Sequence, residues 1–261
     1  MTLYITPVPI GNLKDITLRA IETLNKVDFV IAEDTKYSLK LLTHLNIRKP
    51  MLSYYKPKEK IKTARIIKKL QTETAALITD SGTPVISDPG YFLIRTAIDN
   101  NIAIESLPGP TAFVPALTLS GIESNSFVFL GFSPRKKGDL LSLLKKYSQN
   151  SDTMIYYESP KRVEMFLQSA YEVFGNREFA LIKELTKKNE QVIRGKLSDL
   201  EDILLNINLL GEFVIVIEGQ KKPPSSSISI ESIDDIYNHF KNEHNIPKNK
   251  IKDIFMKRKD K

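Results

Sequence analysis

The chain of 261 residues contains no cysteine. That absence removes disulfides, thiol nucleophiles and thiolate metal sites together. Histidine is nearly as scarce: His44, His239 and His244 are scattered, with none in an H-E-x-x-H arrangement or at ligand spacing. A structural zinc site and a Ser-His-Asp hydrolase are disfavoured on that ground, and no metal is expected. No apolar run approaches the roughly twenty residues that a membrane span requires. The opening segment, MTLYITPVPI, lacks the basic region and cleavage site of a secretory signal. The expectation is a cytoplasmic protein with no membrane partner. There is no G-x-x-x-x-G-K-[ST], and no G-x-G-x-x-G follows a strand, which argues against a P-loop NTPase and an ordinary dinucleotide fold.

What is present is a basic chain, with a formal charge of +7 and a pI near 9.3. Such a balance permits a polyanionic partner without requiring one. Its distribution is uneven. From Pro247 to Lys261 seven basic residues face only Asp253 and Asp260, and such a tail suits phosphate contact. The turn Arg135-Lys136-Lys137 is a second phosphate candidate.

Short apolar runs alternate with amphipathic stretches through the first half. Strands are expected at Leu3–Thr6, Phe29–Ala32, Met51–Tyr55, Ala75–Ile78 and Ala103–Leu107. Helices are expected after Asp15 as cap, through Leu39–Leu45, over Lys58–Leu70 and over Tyr91–Asp99. This alternation implies a mostly parallel sheet flanked by helices. After Gly121 further strands are expected at Phe127–Phe132, Thr153–Tyr157, Phe179–Lys183, Gln191–Arg194 and Phe213–Ile217, as a second α/β domain. The organisation read from the sequence is therefore residues 1–120, residues 121–219, and residues 220–261 as a Pro/Ser linker with a basic helical tail.

The loops after the first-half strands are dense in Gly, Pro, Thr and Asp: Pro7-Val8-Pro9-Ile10-Gly11-Asn12, Asp80-Ser81-Gly82-Thr83-Pro84 and Pro108-Gly109-Pro110-Thr111. In open α/β sheets ligands bind beyond the carboxyl ends of the strands, where such loops gather. Glycine lets backbone approach a ligand closely and proline holds a loop in one shape. Backbone groups so arranged suit a polar, weakly charged ligand, and S-adenosylmethionine answers that description. Tight turns with no ligand are the competing reading.

A run of motifs resembles the bacterial ribosomal RNA small subunit methyltransferase I family, within the tetrapyrrole methylases. The motifs are Pro9-Ile10-Gly11-Asn12-Leu13 with Asp15-Ile16-Thr17-Leu18-Arg19-Ala20, then Glu33-Asp34-Thr35, Asp80-x-Gly82-Thr83-Pro84, Ile86-Ser87-Asp88-Pro89-Gly90-Tyr91 and Leu107-Pro108-Gly109-Pro110. The second half adds Leu130-Gly131-Phe132, Tyr157-Glu158-Ser159-Pro160, Glu184-Leu185-Thr186-Lys187, Arg194-Gly195 and Gly211-Glu212. They stand in order across residues 1–219. The resemblance implies a two-domain α/β tetrapyrrole-methylase fold, each domain a mixed sheet with flanking helices, plus a short helical C-terminal tail. It implies S-adenosyl-L-methionine as methyl donor, usually a homodimer, and a decoding-region cytidine of 16S rRNA as substrate, methylated on its ribose 2′-hydroxyl within the small ribosomal subunit. Another enzyme of the same fold, and a non-catalytic ribosome-binding protein, are the alternatives.

By that resemblance Pro9 and Gly11 form one wall of a donor site between the domains, and Asp80, Gly82, Thr83 and Ile86 a second loop. Thr111 and Ala112 offer hydroxyl and backbone groups, and Gly211 and Glu212 close over the adenosine. Glu184 and Glu158 are the expected catalytic carboxylates, each with an alternative as an ion-paired structural residue beside Lys183, Lys187 or Arg162. The sequence departs from the family at Ser53-Tyr54-Tyr55-Lys56-Pro57-Lys58-Glu59, where two usual histidines are gone. Tyr55 is left to stack on a base and Lys56 or Lys58 to hold phosphate. Lys183 replaces a usual arginine, which weakens a bidentate contact.

Overall fold

The computed structural model describes residues 1–55 and 59–221, and within the tail residues 237, 238, 241, 247, 249 and 250. Residues 1–220 form one compact unit and residues 221–261 another. Within the first unit lie two five-stranded sheets. Lys56, Pro57 and Lys58, and almost all of the basic tail, lie outside the described residues.

The first sheet has the order β3-β2-β4-β1-β5, built from β1 (Thr2–Ile5), β2 (Phe29–Ala32), β3 (Met51–Ser53), β4 (Ala75–Ile78) and β5 (Ala103–Ser106). These strands pair in parallel, and the antiparallel component of this half is the bridge between Val8 and Gly82. Helices cover both faces, which is why the inner strands read as unbroken apolar runs rather than alternating ones. Phe29-Val30-Ile31-Ala32 and Ala75-Ala76-Leu77-Ile78 are buried at every position. One face packs Leu3, Ile5, Phe29, Ile31 and Leu77 under α3 (Glu59–Leu70) and α4 (Tyr91–Asp99), through Ile66, Leu70, Leu93 and Ala97. The other packs Val30, Ala32, Ala76 and Ile78 under α1 (Leu18–Lys26) and α2 (Thr35–His44), through Leu24 and Leu42.

The start of α1 differs from the expected cap. Asp15 closes a short 3₁₀ turn, Leu13–Asp15, and Thr17 is the cap, its hydroxyl accepting the Ala20 N–H at 3.0 Å. Both residue types cap well. The 3₁₀ turn fixed by the Asn12 side chain, which accepts the Lys14 N–H, uses up the Asp15 position.

The second sheet is mixed, with the order β6-β7-β10-β8-β9, from β6 (Phe127–Phe132), β7 (Thr153–Glu158), β8 (Glu178–Lys183), β9 (Gln191–Lys196) and β10 (Phe213–Ile217). Strands β6 and β7 run parallel, and β10 is antiparallel to both β7 and β8. On one face α6 (Lys137–Lys146) and α7 (Val163–Phe174) cover Met154, Tyr156, Phe179, Leu181, Phe213 and Ile215. On the other, α5 (Phe113–Ser120) buries Ala116 and Leu117 against Ile155, Ala180, Ile182, Val214 and Val216. Helix α5 lies within residues 1–120, yet it packs on the second sheet, so the chain passes from one sheet to the other ahead of it, through Leu107–Ala112.

Candidate functional site

Strand order explains why the three Gly/Pro-rich loops meet. They follow β1, β4 and β5, which are neighbours in the order β4-β1-β5, so their carboxyl ends lie side by side. The loops are then tied to one another. Val8 and Gly82 exchange backbone hydrogen bonds of 2.9 and 3.1 Å, and the Thr83 hydroxyl donates to the Pro110 carbonyl at 2.8 Å. The loop after β4 is tightly folded, with positive φ at Gly82 (83°), Val85 (76°), Ser87 (72°) and Gly90 (136°). For a β-branched residue such as Val85 that conformation is strained by about 1–3 kcal/mol.

The second sheet supplies the opposite wall. Because β10 runs against β7 and β8, its amino end lies level with their carboxyl ends. The segments around Phe132, Tyr157–Pro160, Leu185 and Glu212–Val214 therefore gather on one side. Together the two sets of loops enclose a cleft of about 320 Å³. It is lined by Ile10, Ser81, Gly82, Thr83, Ile86, Ser87, Asp88, Thr111 and Ala112 from the first set, and by Phe132, Tyr157, Glu158, Ser159, Pro160, Leu185, Glu212, Phe213 and Val214 from the second.

Of the expected donor residues, Gly82, Thr83, Ile86, Thr111, Ala112 and Glu212 line the cleft, whereas Pro9, Gly11, Asp80 and Gly211 do not. Three of them, Gly11, Asp80 and Gly211, hold the loops. A Cβ on Gly11 would fall 2.4 Å from Lys187 Cγ and 2.9 Å from Thr186 Oγ1, so only glycine lets the first loop lie against the segment after β8. Gly211 has φ 107°, and a Cβ there would fall 2.6 Å from Glu184 Cγ. Asp80 accepts the Asp34 N–H at 3.1 Å, joining the loop after β4 to the start of α2.

Burial raises the Asp80 carboxyl above the ordinary aspartate range. The Asp34 N–H opposes the rise, and the Asp34 charge adds to it. A raised native pKa means that the folded state loses stability as pH climbs through the titration of Asp80. Asp80→Asn keeps the acceptor for Asp34 and removes the charge. It is expected to melt above the parent protein at neutral pH, with the difference closing as pH falls towards the ordinary value of 3.8. Melting curves across that range check it, and equal stability at neutral pH would refute it.

The two expected catalytic carboxylates are both ion-paired. The side chain of Glu158 is fully buried and meets Arg162 at 2.6 Å, itself 20% exposed. Glu158 also accepts the Ser159 N–H at 2.7 Å and the Ser133 hydroxyl, while Arg162 donates to the Ser133 carbonyl and to Ser159 Oγ, each at 3.0 Å. Glu184 does not line the cleft. It sits at φ 52°, pairs with Lys187 at 2.9 Å and accepts the Glu212 N–H at 2.9 Å. Burial would raise the Glu184 carboxyl, but the Lys187 ammonium and the Glu212 N–H together hold it below the ordinary glutamate range. It is a weaker base than a free carboxylate. Lys187 bridges onward to Glu212 at 2.9 Å. Lys183 is buried and donates to the Asn208 carbonyl at 2.7 Å, a single contact that needs no bidentate group.

Several lining residues belong to motifs visible in the sequence but carried no expected role: Phe132, Tyr157, Ser87, Asp88, Ser159 and Pro160. Tyr157 joins the two walls. Its hydroxyl hydrogen-bonds with the Thr111 side chain and accepts the Phe113 N–H at 3.2 Å, and burial pushes its phenol up against the effect of those bonds. Tyr55, in the departed stretch, is half-buried with Lys62 Nζ 4.4 Å from its ring centroid. Among the described residues no group of three or more His, Cys, Asp or Glu is placed to hold a metal ion, and no helix is long and apolar enough to cross a membrane.

The family described as "Tetrapyrrole (Corrin/Porphyrin) Methylases" matches residues 2–201. The chain is 45% identical over 224 residues to a protein of Hydrogenobaculum sp. (strain Y04AAS1) named "Ribosomal RNA small subunit methyltransferase I", covering 84% of this chain and 96% of that one. A protein of the same name from Thermotoga maritima is 37% identical, with 84% and 99% covered. Among solved structures, uroporphyrin-III-C-methyltransferase from Thermus thermophilus superposes with a TM-score of 0.57 at 18% identity, covering 83% of this chain and 94% of that one, a likeness of fold.

Proposed function

We propose, from the premise that this chain belongs to the tetrapyrrole (corrin/porphyrin) methylase family and to its ribosomal RNA small subunit methyltransferase I members, that this methyltransferase acts on 16S rRNA. In this reading it moves a methyl group from S-adenosyl-L-methionine to the 2′-hydroxyl of a decoding-region cytidine, in an assembled small subunit, as a cytoplasmic homodimer. The observation that carries the reading is the cleft itself, built from the carboxyl-end loops of β1, β4 and β5 facing those of the second sheet.

The cleft suits the donor. Its volume of about 320 Å³ is at the lower end of small-molecule sites. Ile10, Ile86, Leu185 and Val214 offer apolar faces for an adenine. The Gly82 carbonyl, which keeps a second lone pair beside its bond from Val8, and main-chain groups at Thr111–Ala112 offer hydrogen bonds for the ribose and the amino-acid end. Asp88 and Glu212 place carboxylates for a cationic ligand. Gly11, Asp80 and Gly211 keep these walls in register.

When bound, the donor supplies a methyl already activated by its sulfonium. The remaining task of the chain is alignment, which supplies on the order of 7–11 kcal/mol when reacting groups are held in line. We assign Glu158 and Glu184 to that alignment through Arg162 and Lys187, as positioning residues for the Ser133 turn and the Gly211–Glu212 segment.

The test is methyl transfer from labelled S-adenosylmethionine to small subunits isolated from cells lacking this gene, with ribose methylation mapped along the rRNA. One ribose-methylated cytidine near the decoding centre is expected. Label confined to a small porphyrinoid would overturn the reading.

A further inference from the structure

The mouth of the cleft carries an aromatic ring that its own sheet does not bury. Phe132, the last residue of β6, lines the cleft and is 56% exposed. A β-bulge puts it there. Phe127 and Phe129 pair with Thr153 and Ile155 on one face, and in a regular strand Phe132 would point to the opposite face. The register shifts between Phe129 and Gly131, so that Phe132 pairs with Tyr157 instead. That extra residue returns Phe132 to the face of Phe127, Phe129 and Tyr157. Bulges beside functional sites commonly re-aim a side chain in this way. The ring meets Tyr157 at 5.6 Å and 67°, an edge contact that leaves ring surface uncovered.

Directly after it comes the basic turn. Arg135 and Lys136 are exposed, and neither forms an ion pair among the described residues, whereas Lys137 stands 4.0 Å from Glu172. Lys161, also exposed, adjoins the cleft-lining Pro160. The turn is not loosely hung: Ser133 is held by buried Glu158 through its hydroxyl and by Arg162 through its carbonyl. An exposed aromatic ring beside unpaired cations, on a rigid mount at the mouth of a cleft, is the combination that binds single-stranded nucleic acid, by base stacking and phosphate contact.

We propose that Phe132, Arg135, Lys136 and Lys161 form a platform that holds an unpaired nucleotide of the RNA at the cleft mouth, its base stacked on Phe132 and its flanking phosphates on the cations. This rests on the rRNA reading above and narrows it: the target nucleotide is taken out of any helix before it is presented. A paired nucleotide keeps its base stacked between neighbours and offers no face to Phe132.

The experiment measures binding of a short fluorescein-labelled oligocytidine, alone and annealed to oligoguanosine, to the full chain. Single-stranded RNA is expected to bind more tightly than the duplex. Phe132→Leu, which keeps an apolar side chain but no ring, is expected to weaken single-strand binding about 5- to 100-fold, and Phe132→Trp to retain it. Removing Arg135 and Lys136 as a pair of alanines is expected to flatten the salt dependence, by about 1.4 in the slope of log affinity against log salt. Affinity for S-adenosylmethionine is measured by calorimetry on each variant. Because Phe132 also lines the donor cleft, oligocytidine binding is measured with S-adenosylmethionine at saturation for each variant, and the proposal is overturned if Phe132→Leu then binds oligocytidine as the parent does. Failure of the parent to methylate small subunits, with the Phe132 and Arg135/Lys136 effects intact, removes the rRNA reading and leaves the platform. Normal methylation by both parent and Phe132→Leu removes the platform and leaves the reading.

Discussion

Arg162→Met is expected to lower the melting temperature by roughly 6–20 °C, from a loss of about 3–5 kcal/mol at about 2–4 °C per kcal/mol for a chain of this size. Few surface arginines would do so. Arg162 differs because its partner, Glu158, has no exposed side-chain area. Without the guanidinium a buried carboxylate retains only the Ser159 N–H and the Ser133 hydroxyl. The Ser133 carbonyl and Ser159 Oγ lose their donor at the same time. Arg162→Lys should recover only part, because one ammonium cannot reach three acceptors lying in different directions. Replacing Glu158 and Arg162 together with methionine should cost less than Arg162→Met alone, since no buried charge is then left unpaired. Calorimetric melts of the three variants decide it. An Arg162→Met protein that melts with the parent would show that water reaches Glu158 and that the network is superficial.

The pair also shows how far the sequence could be read. Glu158 and Arg162 stand four residues apart and Glu184 and Lys187 three apart, so both ion pairs were legible as alternatives to catalysis. Their depth was not. Burial of Glu158 depends on α6 and α7 covering one face of the second sheet, a long-range fact. The inner strands were legible for the opposite reason. A parallel sheet covered on both faces demands apolar residues in unbroken runs, and Phe29–Ala32 and Ala75–Ile78 supply them. The three loops were visible as turns, but their meeting depends on the order β4-β1-β5, which periodicity does not encode. Phe132 was hidden for a local reason: the bulge at Phe129–Gly131 inverts the face that simple alternation assigns to it. The placement of α5 on the second sheet was hidden because nearly every residue of Phe113–Ser120 is apolar or small, so neither face announces a partner.

Gly11→Val is the second large effect, and it is read most directly in binding. The first loop and the segment after β8 belong to different sheets, and Gly11 is where they touch, with Lys187 Cγ, Thr186 Oγ1 and the Leu185 carbonyl at 2.4, 2.9 and 3.2 Å from its missing Cβ. Lys187 cannot simply swing aside, because its ammonium joins Glu184 to Glu212 at 2.9 Å each. Moving it frees the Glu212 side of the cleft. Parting the loops costs about 1–3 kcal/mol, the usual penalty for overpacking. Where the donor requires both walls, that cost appears as weaker binding, about five- to a hundredfold. Gly11→Ala should fall at the low end of that range and Gly11→Val at the high end. The cores of both sheets lie elsewhere, so melting without donor should fall by no more than that same 1–3 kcal/mol, about 2–12 °C, while the stabilisation conferred by added S-adenosylmethionine shrinks. A coupling test separates this account from a general weakening of the loop. Lys187→Ala removes the atom that a Cβ at Gly11 would strike first, so Gly11→Ala should cost less affinity in a Lys187→Ala background than in the parent. Costs that simply add would mean that the loops part without consequence for the cleft, and that the approach of Gly11 to Lys187 has no part in holding the donor.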